Sequence, residues 1–319
     1  MPLKSKPTVL LIEPIHRKYQ TLLERRCRVI RPTGLSEAEL ADAAREADGI
    51  LIRTRGCVSA RAIAAAPRLK VIARAGVGLD HIDLEAARRA GVQVVSTPAG
   101  SRVAVAEHTW MLILALAKHA LQGDRAARSG DYQMRSRFES LQLEGKTLGI
   151  LGLGRIGTTV AAIARFGFAM KVLYTDLIQY RAKERRLRAR KVSLGALLAN
   201  SDILCVHVPL TRLTRGMIGA RELARMRPGS FLINTARGAV VDARASAEAL
   251  RAGRLAGAGV DVFDPEVPPP DHPLLKCPNA ILSPHNAAQT PEARLNYASV
   301  VLDLLRVLDG KKPLFPASD

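Results

Sequence analysis

GILGLGRIGTTVAAIA, residues 149–164, is the stretch from which the rest of the chain is read. It overlaps an apolar run, KTLGIL (146–151), that reads as a buried strand, and it passes into an alanine-rich segment that reads as a helix. Between the two lie Gly152, Gly154 and Gly157, in the spacing G-x-G-x-x-G. Glycines at such a turn leave no Cβ in the way, so bare backbone can approach a ligand closely. The helix that follows offers unpaired N–H groups and the positive end of its dipole, which suits a pyrophosphate. Asp176 lies 19 residues beyond Gly157, at the end of the next apolar run, KVLYTD (171–176). An acid there accepts hydrogen bonds from both hydroxyls of an adenosine ribose and repels a 2′-phosphate. The expected cofactor is therefore NAD (NADH) rather than NADP, although the basic run from Arg181 is a feature that could reach an extra phosphate.

Outward from this motif, short apolar runs alternate with helical patterns. TVLLI (8–12), DGILIR (48–53), LKVIAR (69–74) and VQVVS (92–96) read as strands before it. DILCVHV (202–208), SFLIN (230–234), GAGVDV (257–262) and AILS (280–283) read as strands after it. Helical patterns fill the gaps, as in SEAELADAAREA (36–47) and DLEAARRAG (83–91), the latter with Asp83 as cap and Gly91 as stop. Long helices are expected over 102–121 and 291–310. This rhythm implies parallel sheets with right-handed crossovers. The expected class is α/β, with two Rossmann-like, doubly wound domains.

The totals agree. At 319 residues the chain is comfortable for two domains, and 48% hydrophobic residues supply a core. The net charge of +19 raises nucleic acid as a partner. Its arginines are scattered and aromatics are only 4%, so base stacking has little to work with, and the charge reads as a solvated surface that attracts anionic ligands. Cys27, Cys57, Cys205 and Cys277 form no C-x-x-C pair, so neither a zinc site nor a disulfide framework is expected. Cys57, Cys205 and Cys277 read as small core residues, and no metal is expected. The apolar run at the N-terminus is too short for a signal peptide, and TWMLILALA (109–117) is half of a membrane span. The expected setting is cytoplasmic.

Three polar residues share one kind of position. Arg237 follows FLINTA, Glu266 follows GAGVDVFDP, and His285 follows AILSP. Each stands just past the C-terminal end of an expected parallel strand, the edge where doubly wound sheets bind ligands. Pro284 restricts Ser283 to extended geometry, which ends the strand and aims His285 outward. The chemistry fits a 2-oxo acid. Arg237 offers paired donors to its carboxylate and polarises the carbonyl oxygen. Hydride addition leaves an alkoxide that needs a proton, and a histidine beside a carboxylate is held ready to give one. Asn286 and Gln289 are candidates for positioning substrate or the nicotinamide amide. His207, in CVHVPLT, reads as structural or cofactor-adjacent, and His108 shows no partner.

At this point the residues resemble the D-isomer-specific 2-hydroxyacid dehydrogenase family, with its phosphoglycerate dehydrogenases and glyoxylate/hydroxypyruvate reductases. GLGRIG, HVPLT, INTARGAVVD, LAGAGVDVFDPE and HPLLKCPNAILSPHNAAQT occur in the family's order. The resemblance implies catalytic roles for Arg237, Glu266 and His285. It implies cofactor contacts from Gly152, Gly154, Arg155, Ile156, Gly157, Asp176, His207, Pro209, Thr235 and Asp261, and substrate contacts from Arg53, Val77, Gly78 and Ser101. It further implies an NAD-binding domain (100–288) inserted in a smaller flavodoxin-like substrate domain (1–99 and 289–319), and a homodimer built around the helix at 102–121. Ser101 and Val267 stand where the family often has Asn and Pro. The chain ends after its last helix, so the regulatory domain of some phosphoglycerate dehydrogenases is not expected. A non-enzymatic NAD-sensing or interaction protein on the same scaffold is the alternative reading.

Overall fold

The structure is a computed structural model that describes residues 6–97 and 99–317; the expectation that the N-terminus is no signal peptide falls in part on residues 1–5, outside the described residues. The chain divides into two compact units. Unit 1 runs up to Ser101 and resumes at Gln289; unit 2 is Arg102–Ala288.

Unit 1 holds a five-stranded sheet made of β1 (Thr8–Leu11), β2 (Arg28–Ile30), β3 (Gly49–Ile52), β4 (Val71–Arg74) and β5 (Gln93–Ser96). The order is β2-β1-β3-β4-β5 and every pairing is parallel. That is the flavodoxin-like order, with its switch point between β1 and β3. Strands β1, β3 and β4 are buried at every position, as a parallel sheet covered on both faces requires. Local signals decide the helices between them. Ser36 and Glu39 form a reciprocal capping box, and Asp83 Oδ1 accepts from the Ala86 amide at 2.8 Å. Gly91, at φ +69°, stops the second of these helices as expected.

Unit 2 holds β6 (Thr147–Leu151), β7 (Lys171–Thr175), β8 (Ala189–Lys191), β9 (Ile203–Val206), β10 (Ser230–Asn234), β11 (Leu255–Val260) and β12 (Ala280–Leu282). The order is β12-β11-β10-β9-β6-β7-β8, again wholly parallel. The strand order reverses between β6 and β9, which opens a crevice at their carboxyl ends. Each unit has its own apolar clusters: Leu148, Ile150, Val160, Ala164 and Tyr174 belong to one in unit 2, and Leu10, Ile50, Ile52 and Ile72 to one in unit 1. Burying a side chain of this size is worth roughly 1.5–3 kcal/mol.

Several expectations are corrected. The helix expected over 102–121 ends at Ala117; His119 takes a left-handed conformation, φ +50°, and a second helix, Ala120–Ser129, follows. The helix expected over 291–310 is two, Pro291–Ala298 and Val300–Leu308, joined at Ser299. Cys57 is exposed rather than in the core, because it sits in the turn after β3, while Cys27, Cys205 and Cys277 are buried. Among the described residues no helix is long and apolar enough to cross a membrane.

Candidate active site

The dinucleotide cradle forms at the end of β6. Gly152 has φ +96°, and a Cβ there would lie 2.9 Å from the His207 backbone, so only glycine lets the turn pass the end of β9. A Cβ on Gly157 would come within 2.2 Å of Gly152 O, so the helix Arg155–Gly167 starts hard against the turn. Gly154 is different: a Cβ on it would meet nothing within 4 Å. That open space is the room for close approach that a pyrophosphate needs, and the glycine pattern fits the group. Asp176 follows β7 and accepts from the Leu153 amide at 2.8 Å and the Ile178 amide at 3.2 Å. Lys183 donates to Leu153 O at 2.7 Å from the other side.

His207 follows β9, and its amide donates to Leu151 O at 2.8 Å. Both of its ring nitrogens are buried with no hydrogen-bond partner among the described residues. Burial pushes the imidazole down to about 4, so the ring is neutral at ordinary pH, with one donor and one acceptor to offer. Of the other expected cofactor contacts, Arg155 and Pro209 are exposed and Ile156 is half-buried. Thr235 is buried, with its hydroxyl 3.1 Å from that of Thr109.

Arg237, Glu266 and His285 follow β10, β11 and β12, three neighbouring strands on the same sheet edge. Asn234 braces the Arg237 loop: its amide nitrogen donates to Arg237 O at 3.0 Å, and its amide oxygen accepts from the Ala236 amide at 3.1 Å. Gly238 lets this loop touch the next one, because a Cβ there would lie 2.1 Å from the Phe263 carbonyl carbon. His285 and Glu266 are hydrogen-bonded through Nδ1 and Oε1. With Nδ1–H given to the carboxylate, Nε2 is the ring atom left to face a substrate.

Asp261 was expected to contact the cofactor. Its carboxylate is wholly buried and turned to the His285 loop. Oδ1 accepts from the Ser283 hydroxyl at 2.6 Å and the Asn286 amide at 3.0 Å, and Oδ2 accepts from the Ala287 amide at 3.1 Å. The Asp261 carbonyl accepts from the His285 amide at 2.8 Å. These bonds hold His285 at φ +50°, a left-handed backbone costing of order 1 kcal/mol. His108, read from the sequence as partnerless, lies 2.9 Å from Ser283 Oγ. Asn234, Ser283 and His108 went unseen in the sequence; the only signal for them is that they belong to, or pack on, the strands that carry the three polar residues.

The expected substrate contacts belong to unit 1. Arg53 lines a cavity of about 760 Å³ at the carboxyl ends of β1 to β4, together with Glu13, His16, Arg55, Arg294 and Tyr297. The Arg53 Nε is buried without a hydrogen-bond partner among the described residues. Glu13 fixes the loop by accepting from the Arg55 amide at 2.8 Å and the Thr54 hydroxyl at 2.8 Å. Arg74 braces the next turn by donating to Gly78 O at 2.8 Å. Val77 is exposed and Ser101 buried, and Gln289 accepts from Arg294 at 2.9 Å. Among the described residues no group of three His, Cys, Asp or Glu is placed to hold a metal ion.

Known proteins are similar to this chain. Residues 110–287 match the model of the D-isomer specific 2-hydroxyacid dehydrogenase, NAD binding domain. The chain belongs to the D-isomer specific 2-hydroxyacid dehydrogenase family. A glyoxylate reductase of Aeropyrum pernix is 41% identical over 86% of this chain and 84% of its own. A D-3-phosphoglycerate dehydrogenase of Archaeoglobus fulgidus is 39% identical over 95% of this chain, which spans 57% of that relative's length. Among solved structures, a glyoxylate reductase from Paecilomyes thermophila superposes with a TM-score of 0.89 at 31% identity, over 99% of both chains. Unit 2 thus contains the family's nicotinamide-dinucleotide domain, and its sheet edge is the part of this family member that carries Arg237, Glu266 and His285.

Proposed function

We propose that the chain is an NAD(H)-dependent oxidoreductase that moves a hydride between the cofactor and a small D-2-hydroxy acid or 2-oxo acid. The observation that carries this reading is the hydrogen bond between His285 and Glu266, one strand from Arg237, on the edge that also bears the glycine cradle. Arg237 grips the carboxylate and polarises the keto oxygen. Glu266 accepts from Nδ1–H and fixes the ring, so that Nε2 is the working atom. In reduction, Nε2–H passes its proton to the oxygen that becomes the hydroxyl; in oxidation, Nε2 takes the hydroxyl proton. Bound nicotinamide dinucleotide supplies or accepts the hydride.

Gly152, Gly154, Gly157, Arg155 and Ile156 bind its pyrophosphate in this reading, and Asp176 binds the ribose and favours NAD over NADP. His207, Pro209 and Thr235 complete the cofactor side, and Arg53, Val77, Gly78 and Ser101 the substrate side. Within the class, 3-phosphoglycerate and glyoxylate or hydroxypyruvate are the candidate substrates. The cavity with Arg53, Arg55 and Arg294 favours an acid with a second anionic group. A homodimer is part of the proposal: the exposed Val103 and Met111 on the helix Arg102–Ala117, and Leu121, Tyr132 and Phe138 in the segment from the next helix up to residue 138, are what a second copy would cover.

A panel of 2-oxo acids with NADH and with NADPH, followed at the nicotinamide absorbance, tests the reading. Turnover with NADH, faster than with NADPH, is expected. NADH binding with no turnover of any acid would instead support the NAD-sensing alternative.

A further inference from the structure

The helix Arg102–Ala117 and β11 pass each other in a regular match. A Cβ on Gly257 would meet Leu116 Cδ2 at 2.8 Å, and one on Gly259 would meet Leu112 Cβ at 2.9 Å. Next in the series, His108 Nε2 lies 3.4 Å from Asp261 Oδ1. Steps of four along the helix meet steps of two along the strand, because about 6 Å of helix rise equals about 6.6 Å of strand. The two glycines let the helix lie close on the strand, and this sets where His108 falls: over the end of β11, at the buried carboxylate that holds the His285 loop.

Proton bookkeeping settles the roles there. Asp261 Oδ1 accepts the Ser283 hydroxyl proton at 2.6 Å. The hydroxyl has no second proton, so at 2.9 Å it accepts from His108, whose Nε2 therefore carries a hydrogen. His108 donates to Ser283 and Ser283 to Asp261, whose carboxylate ends the chain and also accepts from the amides of Asn286 and Ala287, the two residues after His285. The His108 side chain is only 14% exposed, so little water competes for the bond.

We propose that His108 is a positioning residue for His285, acting through Ser283 and Asp261 to keep the loop in its left-handed turn. The proposal rests on the reading of His285 as proton donor. Its test compares His108→Leu and His108→Gln with the wild type, in the full chain. Three quantities are measured: kcat and KM for the best 2-oxo acid, NADH affinity by fluorescence, and amide hydrogen exchange at Asn286 and Ala287. His108→Leu is expected to lower kcat about tenfold to a hundredfold, as displaced catalytic groups do. NADH affinity should hold within about twofold, and exchange at the two amides should speed up. His108→Gln keeps an N–H donor and should recover most of both. Wild-type kcat in His108→Leu, or an equal loss in His108→Gln, would overturn the proposal, since the second result assigns the effect to volume. If the wild type reduces no 2-oxo acid, the functional reading fails by itself. Hydrogen exchange then decides His108, and unchanged protection in His108→Leu overturns it.

Discussion

Two glycines make opposite demands at the scale of single residues. Gly238 is fixed by protein: a Cβ would fall 2.1 Å from Phe263 C, 2.3 Å from its oxygen and 2.6 Å from the Asp264 nitrogen, all backbone. Backbone cannot rotate away as a side chain can, so the Arg237 loop or the Glu266 loop must move. Gly154 is free on the protein side, and its φ of −67° suits any residue. Gly238→Ala is therefore expected to cost about 1–3 kcal/mol of stability, to cut kcat strongly and to leave NADH affinity near wild type. Gly154→Ala should melt within a degree or two of wild type yet bind NADH at least roughly tenfold more weakly, because its methyl occupies ligand space. Thermal melts and NADH titrations of both variants separate the two demands. Equal NADH affinity in Gly154→Ala and wild type would mean that the cradle is not where the dinucleotide lies.

At the scale of elements, His207 links the end of β9 to pH. In the unfolded chain a histidine titrates near ~6.5, whereas burial holds this one down to about 4. Above about pH 6.5 the ring is neutral in both states and contributes no pH dependence. Below it, the unfolded chain takes up a proton that the folded chain refuses, so stability falls as pH drops toward 4. The limiting slope is about 1.4 kcal/mol per pH unit from this one group. His207→Leu should therefore lose less stability between pH 7 and pH 5 than wild type does, read as the shift in urea midpoint. An identical shift in both would show that the ring is not buried neutral. Elements also show what the sequence could tell. Buried strands such as β6 and β10 announce themselves as apolar runs, and with parallel order this put Arg237, Glu266 and His285 after three strands before any contact was known. Strands β2 and β8 were missed because they are three-residue edge strands, RVI and ARK, in which charge hides the pattern. The helix breaks at His119 and Ser299 carry no glycine or proline to mark them. The His108–Ser283 contact spans 175 residues of sequence, so only packing of the helix on β11 creates it.

For the whole molecule, the division of the core predicts which part stands alone. Unit 2 is one continuous stretch, Arg102–Ala288, whereas unit 1 is built from both ends of the chain. The buried clusters around Leu148 and around Leu204 draw every member from unit 2, and those around Leu10 and Val9 draw every member from unit 1. Among the described residues no cluster is shared between the two. A fragment of 187 residues, counting Arg102 through Ala288, is large enough to bury a stabilising core by itself. It also retains the glycine turn, Asp176 and His207, and with them Arg237, Glu266 and His285. The fragment is therefore expected to melt cooperatively and to bind NADH with an affinity within about tenfold of the full chain. In the proposed reading it should not turn over any 2-oxo acid, because that reading assigns substrate contacts to Arg53, Val77 and Gly78, which belong to unit 1. Circular dichroism, NADH fluorescence and the 2-oxo acid assay on the fragment check the three statements together. A fragment that folds but ignores NADH would count against the cradle. Full turnover by it would remove unit 1 from substrate binding and shift the origin of specificity onto the loops after β10, β11 and β12.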